Sequence, residues 1–426
     1  MKILFITGHL TNSATGYCAK TVIDELAARG NSVSVVALTQ NDESTCSNSG
    51  NIEITTCPIR RPMRILGCCR ESKSTICRFV FLFLSGLYWI SIQFKGWFSA
   101  APVLSPYNGL LKTTANEVEK RKYDCLVAVV NPVDSLKVAS RIKETYNIPF
   151  FAYYLDSFYG NKGLRLVPDN IYRKHVLDYE NKYLHNVDRI YAMNSARNLY
   201  SHLPCDKVRF IDKIKFLDIP MLKPAENTPQ KTKSLFPANT TTILFVGTMP
   251  RRIRDPRRVI DIMKQVAVGN IHFYIAGRSD FMSDIHDAIN QNSNIHYLEY
   301  IPHESMRYYL TEADFLLNIG NDMEYMLPSK IFEYMSYDKP ILSSVKCEKD
   351  LSINYLKTYQ KAHIFNEDDD KGTIVQGIKH FIENPLTHAS GSSVSSLCAP
   401  GGPLYKNTPQ CFADTLLRDV SNLTVS

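Results

Sequence analysis

Residues 313–345 read ADFLLNIGNDMEYMLPSKIFEYMSYDKPILSSV. The apolar run from Phe315 to Ile319 is a buried strand by its length and continuity. It gives way to the polar loop Gly320-Asn321-Asp322-Met323-Glu324. Pro328 then opens a helix, because its fixed φ suits the first helical position and its missing N–H costs nothing there. Asp338-Lys339-Pro340 is the turn that ends this helix near Tyr337, and Ile341-Leu342 start another short strand. Lys330 and Glu333 lie three apart and share a helix face, beside an apolar stripe of Ile331, Phe332 and Met335. Leu327 carries no side-chain acceptor, so the first-turn N–H groups are open to an anion that the helix dipole favours. A strand, a loop at its carboxyl end and a helix with a free N-terminus make the ligand crevice of an open α/β sheet. A surface helix with a Lys–Glu pair, capped by Ser329, is the other reading of the same spacing.

The string Pro328-Ser329-Lys330-Ile331-Phe332-Glu333-Tyr334-Met335, followed by Lys339-Pro340-Ile341, resembles the nucleotide-sugar site of GT-B glycosyltransferases. The likeness is to the retaining group that includes bacterial surface-polysaccharide enzymes. The resemblance implies an α/β chain of two Rossmann-like, doubly wound domains facing a cleft, with a C-terminal helix crossing back to the first domain. It also implies that Glu333 accepts hydrogen bonds from the donor's ribose hydroxyls, a task that suits an acceptor-only carboxylate. Many relatives carry a second glutamate eight residues earlier. That position here is Tyr325, and Glu324 one residue further back is the candidate donor contact.

The chain has 426 residues, enough for two α/β domains with separate cores. Its 44% hydrophobic and 21% charged residues are those of a soluble globular protein. Eleven scattered cysteines, none in a CxxC pair, read as reduced thiols of a cytosolic protein, and Met1 to Thr7 is too short an apolar run for a signal peptide. A net charge of +7 suits a phosphate-bearing ligand or an anionic membrane surface. Neither zinc spacing nor a nucleic-acid-binding signature is present.

Lys2 to Thr7 reads as a buried parallel strand, Ala19 to Arg29 as a helix closed by Gly30, and Ser32 to Leu38 as the next strand. Gly8 and Gly16 do not make the GxGxxG of a dinucleotide fold. In the resembling family a glycine pair in this first loop brings backbone to the donor phosphate, and Gly16 is the one retained here. Residues 57–110 break the alternation. Arg60, Arg61, Arg64, Arg70, Lys73 and Arg78, opposed only by Glu71, precede the run FVFLFLSGLYWISI from Phe79 to Ile92. That run is shorter than the ~20 residues of a membrane span. It reads either as a core helix or as an interfacial segment lying on anionic lipid. Strands follow at Tyr123 to Asn131, Pro149 to Leu155 and Asp188 to Met193, with helices at Val133 to Tyr146 and Tyr172 to His185. Some relatives place a histidine after the strand that ends at Asn131; its absence leaves no side-chain base there.

These signals divide the chain into a first domain at 1–218, a linker at 219–238, a second domain at 239–403, and a tail with a crossing helix at 404–426. The second domain starts with the strand Thr242 to Thr248, whose Gly247 and Thr248 the resemblance assigns to the donor. The loop after it holds Arg251, Arg252, Arg254, Arg257 and Arg258. Relatives use this loop to neutralise the diphosphate, and guanidinium suits that by bidentate geometry. Arg254, just before Asp255-Pro256, is the match, with a solvated basic turn as the other reading. Gly277 ends the strand from Ile271, where the family's backbone approaches the nucleoside. Asp368-Asp369-Asp370 has the form of a metal-binding DxD but reads as a solvated acidic loop.

The expected protein is a cytoplasmic transferase, peripheral on the inner face of the membrane where the run from Phe79 is read as interfacial rather than core. It moves a sugar, with retention, from a nucleotide-sugar to a glycan or lipid-linked acceptor. Lys330 and Arg254 are the expected catalytic cations, with Glu333, Gly16, Gly247, Thr248, Gly277, Ser329 and Glu324 around the donor. Cationic side chains and helix dipoles make a metal or other cofactor unnecessary. The rivals are a nucleotide-sugar epimerase on the same fold and a non-catalytic membrane adaptor.

Overall fold

The computed structural model describes residues 1–10, 13–41, 44–72, 74–160, 164–203, 208–225, 234–251, 253–299, 301, 303–322, 327–346, 350–384 and 393–425. Two compact units result: residues 1–220 together with 409–426, and residues 221–408.

The first unit is built on a sheet of β1 (Lys2–Thr7), β2 (Ser32–Thr39), β3 (Cys46–Ser49), β4 (Ile52–Pro58), β5 (Cys125–Val129), β6 (Phe150–Tyr154), β7 (Arg189–Met193) and β8 (Ile214–Leu217). The spatial order is β3-β4-β2-β1-β5-β6-β7-β8. Every pair is parallel except the edge pair β3–β4. Runs such as CLVAV in β5 and FFAYY in β6 are buried at every position, as strands covered by helices on both faces must be. The helices are α1 (Ala14–Ala28), α2 (Arg61–Glu71), α3 (Thr75–Gly96), α4 (Tyr107–Lys120), α5 (Asp134–Tyr146) and α6 (Asp169–Tyr183). Helix α1 starts five residues earlier than its apolar spacing suggests, because Ser13 caps it by accepting the Gly16 N–H at 3.0 Å.

The last helix, Pro409–Val425, packs in this first unit. Phe412 sits against Tyr153 and Tyr191, with ring centroids 4.7 and 5.3 Å away. Asp419 accepts the Tyr191 hydroxyl at 2.9 Å and Lys215 Nζ at 3.1 Å, and Asp414 pairs with Arg29 at 2.5 Å.

The apolar segment from Phe79 corrects the core-helix reading. It lies within α3, a 22-residue helix, so it is also longer than its uncharged run suggested. No residue from Thr75 to Ile92 is buried. By length and composition alone α3 could cross a membrane.

The second unit holds β9 (Thr241–Val246), β10 (Ile271–Ala276), β11 (Ile295–Leu298), β12 (Phe315–Asn318), β13 (Ile341–Val345) and β14 (Ala362–Asn366). Their order is β11-β10-β9-β12-β13-β14, parallel throughout. In each sheet the winding reverses beside its first strand, between β1 and β5 and between β9 and β12. The loops at the carboxyl ends of those strands border the crevice where open α/β sheets bind ligands.

Candidate functional site

In the second unit the loops after β9 and β10 are fused at backbone level. Gly247 N–H continues the ladder to the Ala276 carbonyl at 2.9 Å, and Met249 N–H reaches the Arg278 carbonyl at 2.9 Å. Gly277 has φ +124°, and a Cβ there would fall 2.1 Å from the Gly247 carbonyl oxygen. Only glycine meets both conditions. The Tyr297 hydroxyl donates to the Gly277 carbonyl at 2.7 Å. Gly247 and Thr248 are thereby fixed at the end of β9.

A turn closed by Arg254 N–H on the Pro250 carbonyl sends the Arg254 side chain back under this junction. Its guanidinium donates through Nη2 to Asn321 Oδ1 at 2.9 Å and through Nη1 to the Thr248 carbonyl at 3.4 Å. Arg254 is only 9% exposed, and its buried Nε has no partner among the described residues. No carboxylate among the described residues lies within ion-pair distance of it. Burial lowers its pKa below the ordinary arginine value, partly opposed by nearby Tyr334 and Asp322. The group remains a cation at neutral pH.

The other described arginines of this loop are committed elsewhere. Arg251 lies over the Phe281 ring and donates to the Asp280 carbonyl, and exposed Arg257 pairs with Asp255 at 2.6 Å. Arg258 donates to the carbonyls of Glu367 and Asp369. Arg252 lies outside the described residues.

The helix of the Pro328 motif runs from Lys330 to Ser336, two residues shorter at its start than the proline suggests. Neither Leu327 nor Ser329 caps it through a side chain; Ser329 is the N-cap residue but makes no such bond. The Ile331 and Phe332 N–H groups are taken by the carbonyls of Pro328 and Ser329, at 3.3 and 3.2 Å. This corrects the expectation of a wholly free first turn. Lys330 Nζ pairs with Glu333 Oε2 at 2.5 Å, with Glu333 buried and Lys330 half-exposed.

Tyr334 joins this helix to the end of β9. Its hydroxyl accepts from Val246 N–H at 2.9 Å and donates to the Val246 carbonyl at 3.1 Å. Burial pushes the Tyr334 pKa up, and the charges of Glu333 and Arg254 both act on its hydroxyl. The geometry therefore gathers Glu333, Lys330, Arg254, Gly247 and Thr248 about one tyrosine. Glu324 and Tyr325 lie outside the described residues.

An ionic latch that the sequence reading missed ties four loops together at the same ends of the strands. Lys346 Nζ reaches Asp322 at 2.6 Å, the Asp255 carbonyl at 3.1 Å and Glu367 at 3.8 Å. Ser344 Oγ donates to Glu367 at 2.7 Å and accepts Gly320 N–H at 3.1 Å. Burial raises the Glu367 carboxyl pKa, with Lys346 opposing it. Glu367, directly before the solvated loop expected at 368–370, is thus buried and bonded. Asp370 accepts Thr373 N–H at 2.9 Å and caps the helix Lys371–Glu383, which accounts for one member of the DxD string. Among the described residues no group of acidic, histidine and cysteine side chains is arranged to hold a metal.

In the first unit a Cβ on Gly16 would lie 1.8 Å from the His9 carbonyl oxygen, so the close turn requires glycine. Its N–H, expected to be free for a phosphate, is already held by Ser13.

Residues 240–384 match the family model described as Glycosyl transferases group 1. No curated protein matches the chain. The chain is similar to a solved sucrose-phosphate synthase from Thermosynechococcus elongatus at 13% identity and a TM-score of 0.63, over 100% of this chain and 99% of that one. It is similar to WaaG, a glycosyltransferase involved in lipopolysaccharide biosynthesis, at 14% identity and a TM-score of 0.54, over 97% and 99%. A UDP-GlcNAc 2-epimerase from Neisseria meningitidis aligns at 14% identity and a TM-score of 0.50, over 98% and 100%. At these identities the likeness is one of fold: two helix-covered, Rossmann-like parallel sheets of the GT-B kind, the second matched over residues 240–384 by the group 1 glycosyl transferases.

Proposed function

We propose that the chain transfers a sugar from a nucleotide-sugar to a glycan or lipid-linked acceptor, with retention of configuration, in the synthesis of cell-surface polysaccharide. The observation that carries the reading is Arg254. A buried guanidinium that has no counter-ion and an unpartnered Nε among the described residues is costly unless an anion arrives to pair with it. The end of a central parallel strand is where such a ligand binds. The family match over residues 240–384 gives that anion a chemistry, the diphosphate of the donor.

In this reading Lys330 leaves Glu333 for the diphosphate, and the freed carboxylate receives the ribose hydroxyls. Arg254 and Lys330 stabilise the negative charge that builds on the leaving diphosphate, which requires no metal. Gly247, Thr248, Gly277 and Ser329 offer backbone and small side chains at the donor's edge, with Glu324 as a further contact. Gly16 acts through the close turn that it permits. The reaction takes place in the cytoplasm, where the free thiols of the described cysteines persist.

The test is a thermal-shift panel of nucleotide-sugars, followed by NMR of the first product formed with an added acceptor. A donor at a hundred times its dissociation constant adds about 2.7 kcal/mol of stability. An inverted product overturns retention. Turnover of the nucleotide-sugar without an acceptor indicates an epimerase, and binding with no turnover an adaptor.

A further inference from the structure

Helix α3 presents Phe79, Phe83, Ile90 and Phe94 outward, at 72, 60, 57 and 70% exposure. Steps of four, seven and four residues place them along one face. Helix α3 packs on α2, the helix before it in the chain. The same pair of helices and its start carry the exposed cations Arg60, Arg61, Arg70 and Arg78. A predominantly basic segment, with Glu71 its one acidic residue between Arg60 and Arg78, beside a large apolar stripe matches an anionic lipid surface. It opposes a second copy of the chain, which would bring arginine against arginine across a symmetric interface.

The geometry also separates lying on a bilayer from crossing it. The uncharged run from Phe79 to Phe94 covers about 24 Å at 1.5 Å per residue, short of the ~30 Å hydrocarbon core. Spanning would draw the arginines of α2 into hydrocarbon, because α2 is packed along α3. The far end of α3 is fastened to the first unit. Buried Gln93 accepts Leu166 N–H at 2.9 Å, and Lys95 Nζ donates to the Pro102 carbonyl at 2.7 Å. At Gly96 a Cβ would fall 2.1 Å from Leu164.

We infer that the α2–α3 hairpin docks the protein on an anionic bilayer, with α3 in the interfacial plane and the arginines at the level of the lipid phosphates. This docking is independent of the donor site and needs no nucleotide-sugar.

The chain supplies its own probes, since its only two tryptophans are Trp89 and Trp97, at 41 and 43% exposure on this segment. The full chain is titrated with phosphatidylcholine vesicles, with and without phosphatidylglycerol, at low and high salt, and tryptophan emission is followed. A blue shift is expected only with anionic vesicles, weakened but not abolished by salt. Lipids brominated near the headgroup should quench both tryptophans more than lipids brominated near the chain end, also in a Trp97→Phe variant that isolates Trp89. Phe83→Ser, at an exposed position, should weaken binding about tenfold, and Arg60→Ser with Arg61→Ser about thirtyfold at low salt. No shift at low salt overturns the inference, as does equal binding to uncharged vesicles. Stronger quenching of Trp89 by deep bromines would show a span instead. A vesicle-free dimer that Phe83→Ser dissociates would show that a second copy covers the face.

Discussion

Replacing Arg254 by methionine should lower activity without lowering stability. In the free protein the guanidinium is 9% exposed and its clear partner is Asn321 Oδ1 at 2.9 Å, since the contact to the Thr248 carbonyl is long at 3.4 Å. A hydrogen bond from a charged donor contributes about 1.5–3 kcal/mol. Burying an ion without a counter-charge costs several kcal/mol after relaxation. The burial term is therefore equal to or larger than the bond, and methionine fills most of the volume without it. Urea denaturation of ligand-free Arg254→Met should give an unfolding free energy unchanged or higher by about 1–2 kcal/mol. With donor and acceptor, kcat should fall by about 10²–10³, the loss typical when one group stabilising transition-state charge is removed. Arg254→Lys should recover only part of this, because a point charge lacks the fork that spans Asn321 and a phosphate. A variant that is clearly less stable yet keeps wild-type kcat/KM would refute the reasoning and make Arg254 a structural strut.

Three further outcomes are expected. Glu333→Gln should weaken donor binding by about 1.5–3 kcal/mol in calorimetry, whereas Lys330→Ala should lower kcat more than donor affinity in steady-state kinetics. Gly277→Ala should lower the unfolding free energy in urea by at least ~1–3 kcal/mol, because φ is +124° and the new Cβ would meet the Gly247 carbonyl; an unchanged midpoint would show that the β9 and β10 loops part easily. Glu180 is fully buried, and burial pushes its carboxyl pKa from 4.5 up to about 8. The folded state then holds a proton that the unfolded chain has released. This contribution is complete below pH 4.5 and is lost as pH rises towards 8, with a slope of at most ~1.4 kcal/mol per pH unit. Glu180→Gln should flatten that slope in urea titrations across this range.

Strands whose whole length is buried, such as β5, β6 and β12, were legible because burial on both faces leaves few polar positions to blur the pattern. The edge pair β3–β4 was not, since CSNS is exposed at every residue and carries no apolar signal. Lys330 and Glu333 could be paired from spacing alone, because three residues on a helix is a distance in space. The selection of Arg254 from its run of arginines could not. It depends on Asn321, which lies 67 positions away and reaches it only once β9 and β12 pair. The Lys346 latch is hidden for the same reason. The run from Phe79 is the opposite case: its composition was plain, but burial belongs to the neighbours a helix finds, and α3 leaves every residue from Thr75 to Ile92 at least partly exposed.

The C-terminal helix belongs to the first unit although the whole second unit is synthesised before it. Its pairing of Asp414 with Arg29 closes 385 positions of chain. At roughly 5–20 residues per second, making Met221 to Thr408 takes about ten to forty seconds. Throughout that interval Tyr153 and Tyr191 lack Phe412, and the nascent first unit carries an uncovered aromatic face. The second unit, contiguous in sequence, has no such wait. The order of maturation on the ribosome is thus reversed: the part made first is finished last, and the interval between is when a chaperone has something to hold.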